Sequence, residues 1–306
     1  MCRRSQSTHP GQVQGPACPA QSVDQTLPGS FSLILVPVRE QLVQRIDEQR
    51  RREAYEESVY WHTVGLVARR GQVVGCGSGI CWNGTCLIVT AKHVICDTAS
   101  PSDIVFFCRP DGPIPLVTPG GAIVRQPPRA SNPGTLPLEK IVYCEWEDLA
   151  GIVLKPTSLE NFNLRFHELT HTAATPAPGT TLLAIGFPTE PSVPVAGGLN
   201  ATFPQSEWTK IRTSDDSDRF LRGFNTDRHF LVSYSAAGHQ DPKGMSGTGG
   251  WSELDHSVNA LVWSPHQSLA GVCTHYYRKK GLLKFVRIEA VIEFLDEILP
   301  AMVPTS

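Results

Sequence analysis

Ser246 lies in the stretch Asp241-Pro242-Lys243-Gly244-Met245-Ser246-Gly247-Thr248-Gly249-Gly250. A serine hydroxyl is a poor nucleophile at neutral pH and needs a neutral imidazole to take its proton as the new bond forms. The imidazole needs an acceptor that fixes its tautomer, and the acyl oxygen needs fixed donors. The chain offers a type for each part. His93 ends the run Thr90-Ala91-Lys92-His93, and Asp148 stands in Glu147-Asp148-Leu149-Ala150. Gly244 and Gly247 flank the serine closely enough for backbone N–H groups to approach a reacting carbonyl. Asp148 is preferred to Glu147 as the acceptor because it directly precedes Leu149-Ala150. Read together, these residues point to a serine hydrolase and foremost to a serine protease.

Such residues must be held by rigid elements, and the chain is long enough to build them. Its 306 residues are 41% hydrophobic, which excludes a disordered chain and allows two domains. Residues 1–30 are rich in Gln, Ser, Pro and Gly and are expected to be disordered. Residues 38–60 are charged and helix-compatible, with Leu42, Ile46 and Tyr55 as the docking positions. From Trp61 onward short β-type runs alternate with Gly, Pro and Asn. They cover 63–68, 72–76, 86–90, 104–108, 122–125, 140–144, 151–154, 181–185, 230–233, 260–263 and 271–274. Many short strands divided by turns imply barrels or sandwiches. Residues 111–137 and 188–228 read as long connections. Ile288, Val291, Ile292 and Leu295 recur at helical spacing and predict a closing amphipathic helix over 287–299.

At this point the chain resembles the trypsin-like serine peptidases of the chymotrypsin fold, over roughly residues 60–300. Gly77-Ser78-Gly79 with Thr90-Ala91-Lys92-His93-Val94 is similar to the family's first-barrel strand pair ending at the base. Asp148 and the apolar run to Leu154 resemble its acceptor and following strand. Ala184-Ile185-Gly186-Phe187-Pro188 resembles the start of the second barrel, and Gly244-Met245-Ser246-Gly247 the nucleophile loop. Leu269-Ala270-Gly271-Val272 resembles the strand that holds extended substrate. The resemblance implies an all-β protein of two antiparallel six-stranded β-barrels, with a helical N-terminal extension and a C-terminal helix. It places the extension at 1–58, the first barrel with His93 and Asp148 at 59–165, and the second barrel with Ser246 at 166–303. It implies His93 as base and then acid, Asp148 as its orienter, and Ser246 as the acylated residue. The N–H groups of Gly244 and Ser246 become the oxyanion hole. No cofactor and no metal are implied. Gln240, Thr274 and Tyr276 fall at the first specificity pocket, and the substrate is a polypeptide bound as an added strand.

Departures from the family are informative. Met245 precedes the nucleophile where zymogen-derived secreted enzymes use Asp, so activation by a new N-terminus is not expected. Thr248 replaces a glycine. No cysteine directly follows His93, although Cys96 leaves a bridge to Cys76 open. These departures set the chain nearer to bacterial Deg-type and uncharacterised bacterial peptidases than to digestive enzymes. The nine cysteines are odd in number and contain no CxxC pair, so reduced thiols and a cytoplasmic protein are expected. The apolar run 31–38 is too short for a signal peptide, and no run is long enough to span a membrane. A net charge of −2 gives no reason to expect nucleic acid or a membrane surface as partner. Oligomeric state is left open. Seven further histidines (His167, His171, His229, His239, His256, His266 and His275) read as surface or pocket residues rather than metal ligands. The competing readings are a catalytically silent module with the same cleft and an esterase.

Overall fold

In the computed structural model the residues described are 35–68, 73–96, 104–107, 116–117, 123–124, 138–155, 164–187, 193–195, 199–201, 205–234, 242–253 and 267–299. The expected disorder of 1–30, the strand at 260–263 and the pocket residue Gln240 lie outside them. The chain divides into two compact units, Met1–Asp47 and Glu48–Ser306. Helix α1 (Leu35–Tyr60) spans the segment expected to be helical. The first sheet region holds β1 (Thr63–Ala68), β2 (Val73–Trp82), β3 (Thr85–Thr90), the short helix α2 (Lys92–Cys96), β4 (Ile104–Phe107), β5 (Leu116–Val117), β6 (Ile123–Val124), β7 (Leu138–Tyr143), β8 (Ala150–Leu154) and β9 (His167–Glu168). The second holds β10 (Thr181–Gly186), β11 (Val193–Val195), β12 (Leu199–Ala201), β13 (Gln205–Lys210), β14 (His229–Ser233), β15 (Gly249–Glu253), β16 (Gln267–Tyr277), β17 (Leu282–Arg287) and helix α3 (Ile288–Ile298).

The first sheet runs β4-β1-β2-β3-β8-β7 in antiparallel pairs, and β9 adds a short parallel pairing to β2. β9 therefore belongs to the first sheet although it lies just beyond residue 165, the boundary expected from sequence. The second sheet runs β13-β10-β15-β16-β17-β14. An antiparallel bridge between Ile211 and Val232 joins its two ends and closes it into a barrel. Two six-stranded antiparallel paths with a terminal helix constitute a chymotrypsin-like fold, as expected. Seven strands were not read from sequence: β13, β15 and β17 of the second sheet, the short β9, and β5, β11 and β12, which lie in the separate two-stranded sheets β5-β6 and β11-β12.

The pattern of apolar residues explains this arrangement. β8 and the last four residues of β3 are buried throughout, as expected for strands covered on both faces. The β2–β3 hairpin turns through Asn83-Gly84, both at positive φ, as a two-residue loop needs. Val64, Leu66, Ile88, Val94 and Ile152 fill the interior of the first sheet. Leu182, Ala184, Phe230, Phe285 and Met245 fill that of the second. A third core lies between the sheets, where Ile80, Leu87 and Val89 meet Leu183, Trp251 and Val286. Tyr55 and Val59 of α1 and Val291, Phe294 and Leu295 of α3 complete it. Each fully buried aliphatic or aromatic side chain there contributes roughly 1.5–3 kcal/mol. Thr175, on the linker between the sheets, accepts the N–H of Ile288 on its hydroxyl and donates its own N–H to Glu289 at 2.8 Å. The first of these bonds satisfies an otherwise orphaned donor at the start of α3.

Cys81 and Cys86 correct the expectation of reduced thiols throughout. They face each other across the β2–β3 hairpin with Cα atoms 4.3 Å apart and form a disulfide. Direct cross-strand pairing beside a two-residue turn brings them together, a proximity that the spacing alone did not reveal. Cys76 and Cys96 are both free, so the bridge left open between them does not form.

A cluster of rings also lies between the sheets. His62 and His167 pack on Trp251 with ring centroids 5.4 and 5.2 Å away, and on each other at 5.8 Å. Burial, followed by the neighbouring His62, pushes His167 down to about 4. Burial also lowers His62, against the opposing hydrogen bond to the Arg165 carbonyl. The fold thus favours neutral imidazoles, whereas an unfolded chain binds these protons near pH 6.5. The contribution to stability is complete above pH 6.5 and is lost as pH falls toward 4. We expect the melting temperature to drop over that window and the drop to be shallower in His167→Gln, measured by thermal melts at a series of pH values. An equally steep drop in the variant would contradict this.

Candidate active site

His93 sits in the single-turn helix α2 immediately after β3. Val94 and Ile95, both buried, anchor that turn in the core of the first sheet. Asp148 ends the loop from β7 to β8. The loop is fastened to α2 by Lys92, whose N–H donates to the Asp148 carbonyl at 3.2 Å and whose ammonium donates to Cys144 O at 2.9 Å. The carboxylate then grips His93 twice. Oδ1 accepts the His93 backbone N–H at 3.0 Å, and Oδ2 meets ring Nδ1 at 2.7 Å. Because the carboxylate can only accept, Nδ1 carries a proton, so in the neutral imidazole the lone pair is on Nε2.

Glu147 faces the other way. Its Oε2 lies 3.0 Å from Nε2 of His229 on β14, with side chains only 9% and 3% exposed. Nδ1 of His229 accepts the Asn225 N–H at 2.8 Å, so Nε2–H is the donor to Glu147. Adjacent carboxylates thus serve different histidines. His229 is a buried tether and not the surface or pocket residue expected from sequence. Lys284, also buried, donates to Gly223 O at 3.0 Å. Burial lowers its ammonium below the usual range, while the carboxylates of Glu147 and Asp148 act against that shift.

The loop carrying Ser246 is packed against β2. Ser246 O accepts the Cys76 N–H at 2.6 Å, and Gly247 N–H donates to Cys273 O at 2.7 Å. Cys273 N–H returns to Thr248 O at 2.8 Å, and the Thr248 hydroxyl donates to Ile185 O. Thr248 thereby makes a side-chain tie that the glycine it replaces has no atoms to make. Gly75 lies between the two candidate catalytic segments. A Cβ there would come within 2.8 Å of Ser246 O and would also overlap the Val94 side chain, next to His93. Gly247 has φ +90° and lies directly against the Cys76 carbonyl and the Thr90 hydroxyl. Gly244 has φ +98°. The amides of Gly244 and Ser246 make no backbone hydrogen bond among the described residues. The structure therefore pairs His93 with Asp148 and sets the Ser246 loop on the same glycine as the His93 turn.

Of the expected pocket residues, Thr274 is buried, and Tyr276 is half-buried with its ring 5.6 Å from that of Tyr234. The segment expected to hold extended substrate needs correction. Leu269, Gly271 and Val272 are paired to β15, and Gly271 and Val272 are paired to β17 as well. Beyond Cys273 only β17 pairs with β16, so its other edge, from Thr274 to Tyr277, has no strand partner among the described residues. Gly75, Cys76 and Thr90 are site residues missed from sequence. The run of small residues Gly75-Cys76-Gly77-Ser78-Gly79 was their only signal, since side chains there would block a close approach.

Two steric demands converge on Gly247, a positive φ and contact with the Cys76 backbone. We expect Gly247→Ala to cost at least about 2 kcal/mol of stability, measured by denaturant unfolding. A variant within about 0.5 kcal/mol of the parent would show that the loop is not pinned there.

No protein family profile matches the chain, and no curated protein matches it. Solved structures do. Human heparin binding protein superposes with a TM-score of 0.52 at 14% identity, covering 81% of this chain and 95% of that one. The scabies mite inactivated protease paralogue S-I1 gives a TM-score of 0.52 at 14% identity, covering 79% of this chain and 95% of the other. At this identity the likeness establishes the fold, and the fold is chymotrypsin-like.

Proposed function

We propose that this protein is a serine endopeptidase acting through His93, Asp148 and Ser246. The two-point grip of Asp148 on His93 carries the reading. It holds the neutral imidazole in the tautomer with its lone pair on Nε2, the form needed to accept a proton from a serine hydroxyl. Ser246 attacks the scissile carbonyl while His93 Nε2 takes its proton. The oxyanion is received by the N–H groups of Gly244 and Ser246, which have no competing backbone acceptor among the described residues. His93 then donates the proton to the departing amine, and Asp148 stabilises the imidazolium. Water reverses the sequence and releases the acid. No cofactor enters this scheme.

The open edge of β16 from Thr274 to Tyr277 supports a peptide substrate, because an extended backbone can pair there as an added strand. An esterase would have no use for that edge. Met245 at the position preceding the nucleophile supports an enzyme that needs no N-terminal cleavage and a kinship nearer to Deg-type peptidases. A silent module with the same cleft is the alternative, and the inactivated paralogue shares this fold.

Labelling by a fluorophosphonate separates these readings. The protein is expected to label, Ser246→Ala is expected to fold and not label, and an unlabelled parent would refute the enzyme. Asp148→Asn should lower turnover about 10⁴-fold, as in the Ser-His-Asp template, through the wrong imidazole tautomer. Glu147→Gln should instead weaken the tie to His229 and act on the melting temperature. The reverse ranking in a peptide-cleavage assay would overturn the choice of carboxylate.

The first specificity pocket is expected to take a small or modest uncharged side chain. Gln240 offers no carboxylate for a basic side chain, and Tyr276 occupies volume where an open pocket would need none. Cleavage-site profiling on a peptide library tests this. Strong enrichment of Arg or Lys before the cut would refute it and leave the triad untouched.

A further inference from the structure

Cys76 is fully buried, and each of its polar groups is used on the segments around Ser246. Its N–H donates to Ser246 O at 2.6 Å, and its C=O accepts the Thr90 hydroxyl. Its thiol donates to Gly244 O at 2.9 Å, and its sulfur accepts the Phe187 N–H at 3.1 Å. One residue of the first sheet therefore holds the carbonyl on each side of Met245 and ties the end of β10 to the same point.

The consequence follows from backbone geometry. Gly244 has no Cβ, and its φ is +98°, so side-chain sterics do little to fix how the peptide plane after it is turned. Holding its carbonyl sets that plane, and holding Ser246 O sets the plane after the nucleophile. The N–H groups of Gly244 and Ser246 are carried on the adjoining planes. Resting on the proposed serine-hydrolase reading, we infer that the Cys76 thiol is a positioning residue: its hydrogen bond to Gly244 O keeps the two oxyanion-hole donors aimed at the developing oxyanion. Burial pushes this thiol up to about 12, so the proton it donates is retained at any working pH. The sulfur is neither a nucleophile nor half of a disulfide.

Three variants with a fluorophosphonate probe test the role. Cys76→Ser retains an O–H donor and an acceptor of similar size. Cys76→Ala and Cys76→Val remove the donor, the second while keeping most of the volume. The maximal inactivation rate is expected to fall at least ~10-fold in the Ala and Val variants, since removing a hole donor outright costs ~10²–10³. The probe concentration giving half-maximal rate should be unchanged, and Cys76→Ser should stay within about 3-fold of the parent. A loss in the Ser variant equal to that in Ala would assign Cys76 a packing role and overturn the inference. So would parental rates in Ala or Val. If neither donor-free variant folds, the Ser variant decides alone. An unlabelled parent would instead overturn the underlying reading of Ser246.

Discussion

The close approach of β2 to the Ser246 loop is the constraint on which the rest depends. Two segments from different sheets touch backbone to backbone, with Ser246 O on the Cys76 N–H. Such proximity is possible only where side chains are absent, which explains glycine at 75 and at 247. The sheets themselves share a core of Ile80, Leu87, Val89, Leu183, Trp251 and Val286. That apolar contact sets their separation, and the hydrogen bonds between Cys76 and the loop set their register. Apolar burial has no direction, whereas hydrogen bonds do. The candidate site therefore owes its existence to the first and its geometry to the second.

The same division explains what could be read from the chain. β3, β8 and β10 are continuous apolar runs, and α3 carries its apolar residues at helical spacing, so burial is written in their composition. β13 reads Gln-Ser-Glu-Trp-Thr-Lys and β15 begins Gly-Gly, and neither shows an apolar strand pattern. Their strand character comes from partners: β10 pairs with both, and β16 covers the other edge of β15. β17 is apolar but runs straight into α3, which hid its boundary. His93, Asp148 and Ser246 stood out because each sits in a short recognisable context. Gly75, Cys76 and Thr90 did not, because their role is contact with chain more than a hundred residues away. The disulfide between Cys81 and Cys86 was missed because it needs the hairpin register, which the spacing of the cysteines alone does not encode.

Choosing between Glu147 and Asp148 shows how little separates a tether from an orienter. The residues are adjacent and carry the same group. The strand that follows fixes which one faces α2, and the other is then turned toward β14. There it meets a histidine whose tautomer is set by the Asn225 amide, opposite to that of His93. Two imidazoles in one protein thus hold their protons on different nitrogens, each dictated by a single backbone or carboxylate partner.

The Glu147–His229 tether also bears on motion. Glu147 belongs to the first half of the chain and His229 to the closed barrel of the second, one residue along from the carboxylate that holds His93. Any hinge opening of the two halves must either break a buried charged contact or drag Asp148 with the second barrel. In the second case the imidazole would lose its acceptor as the halves part. If the tether holds, opening wide enough to admit a bulky folded partner would disable the base of the proposed peptidase, which would then take exposed, extended chain in preference to compact surfaces.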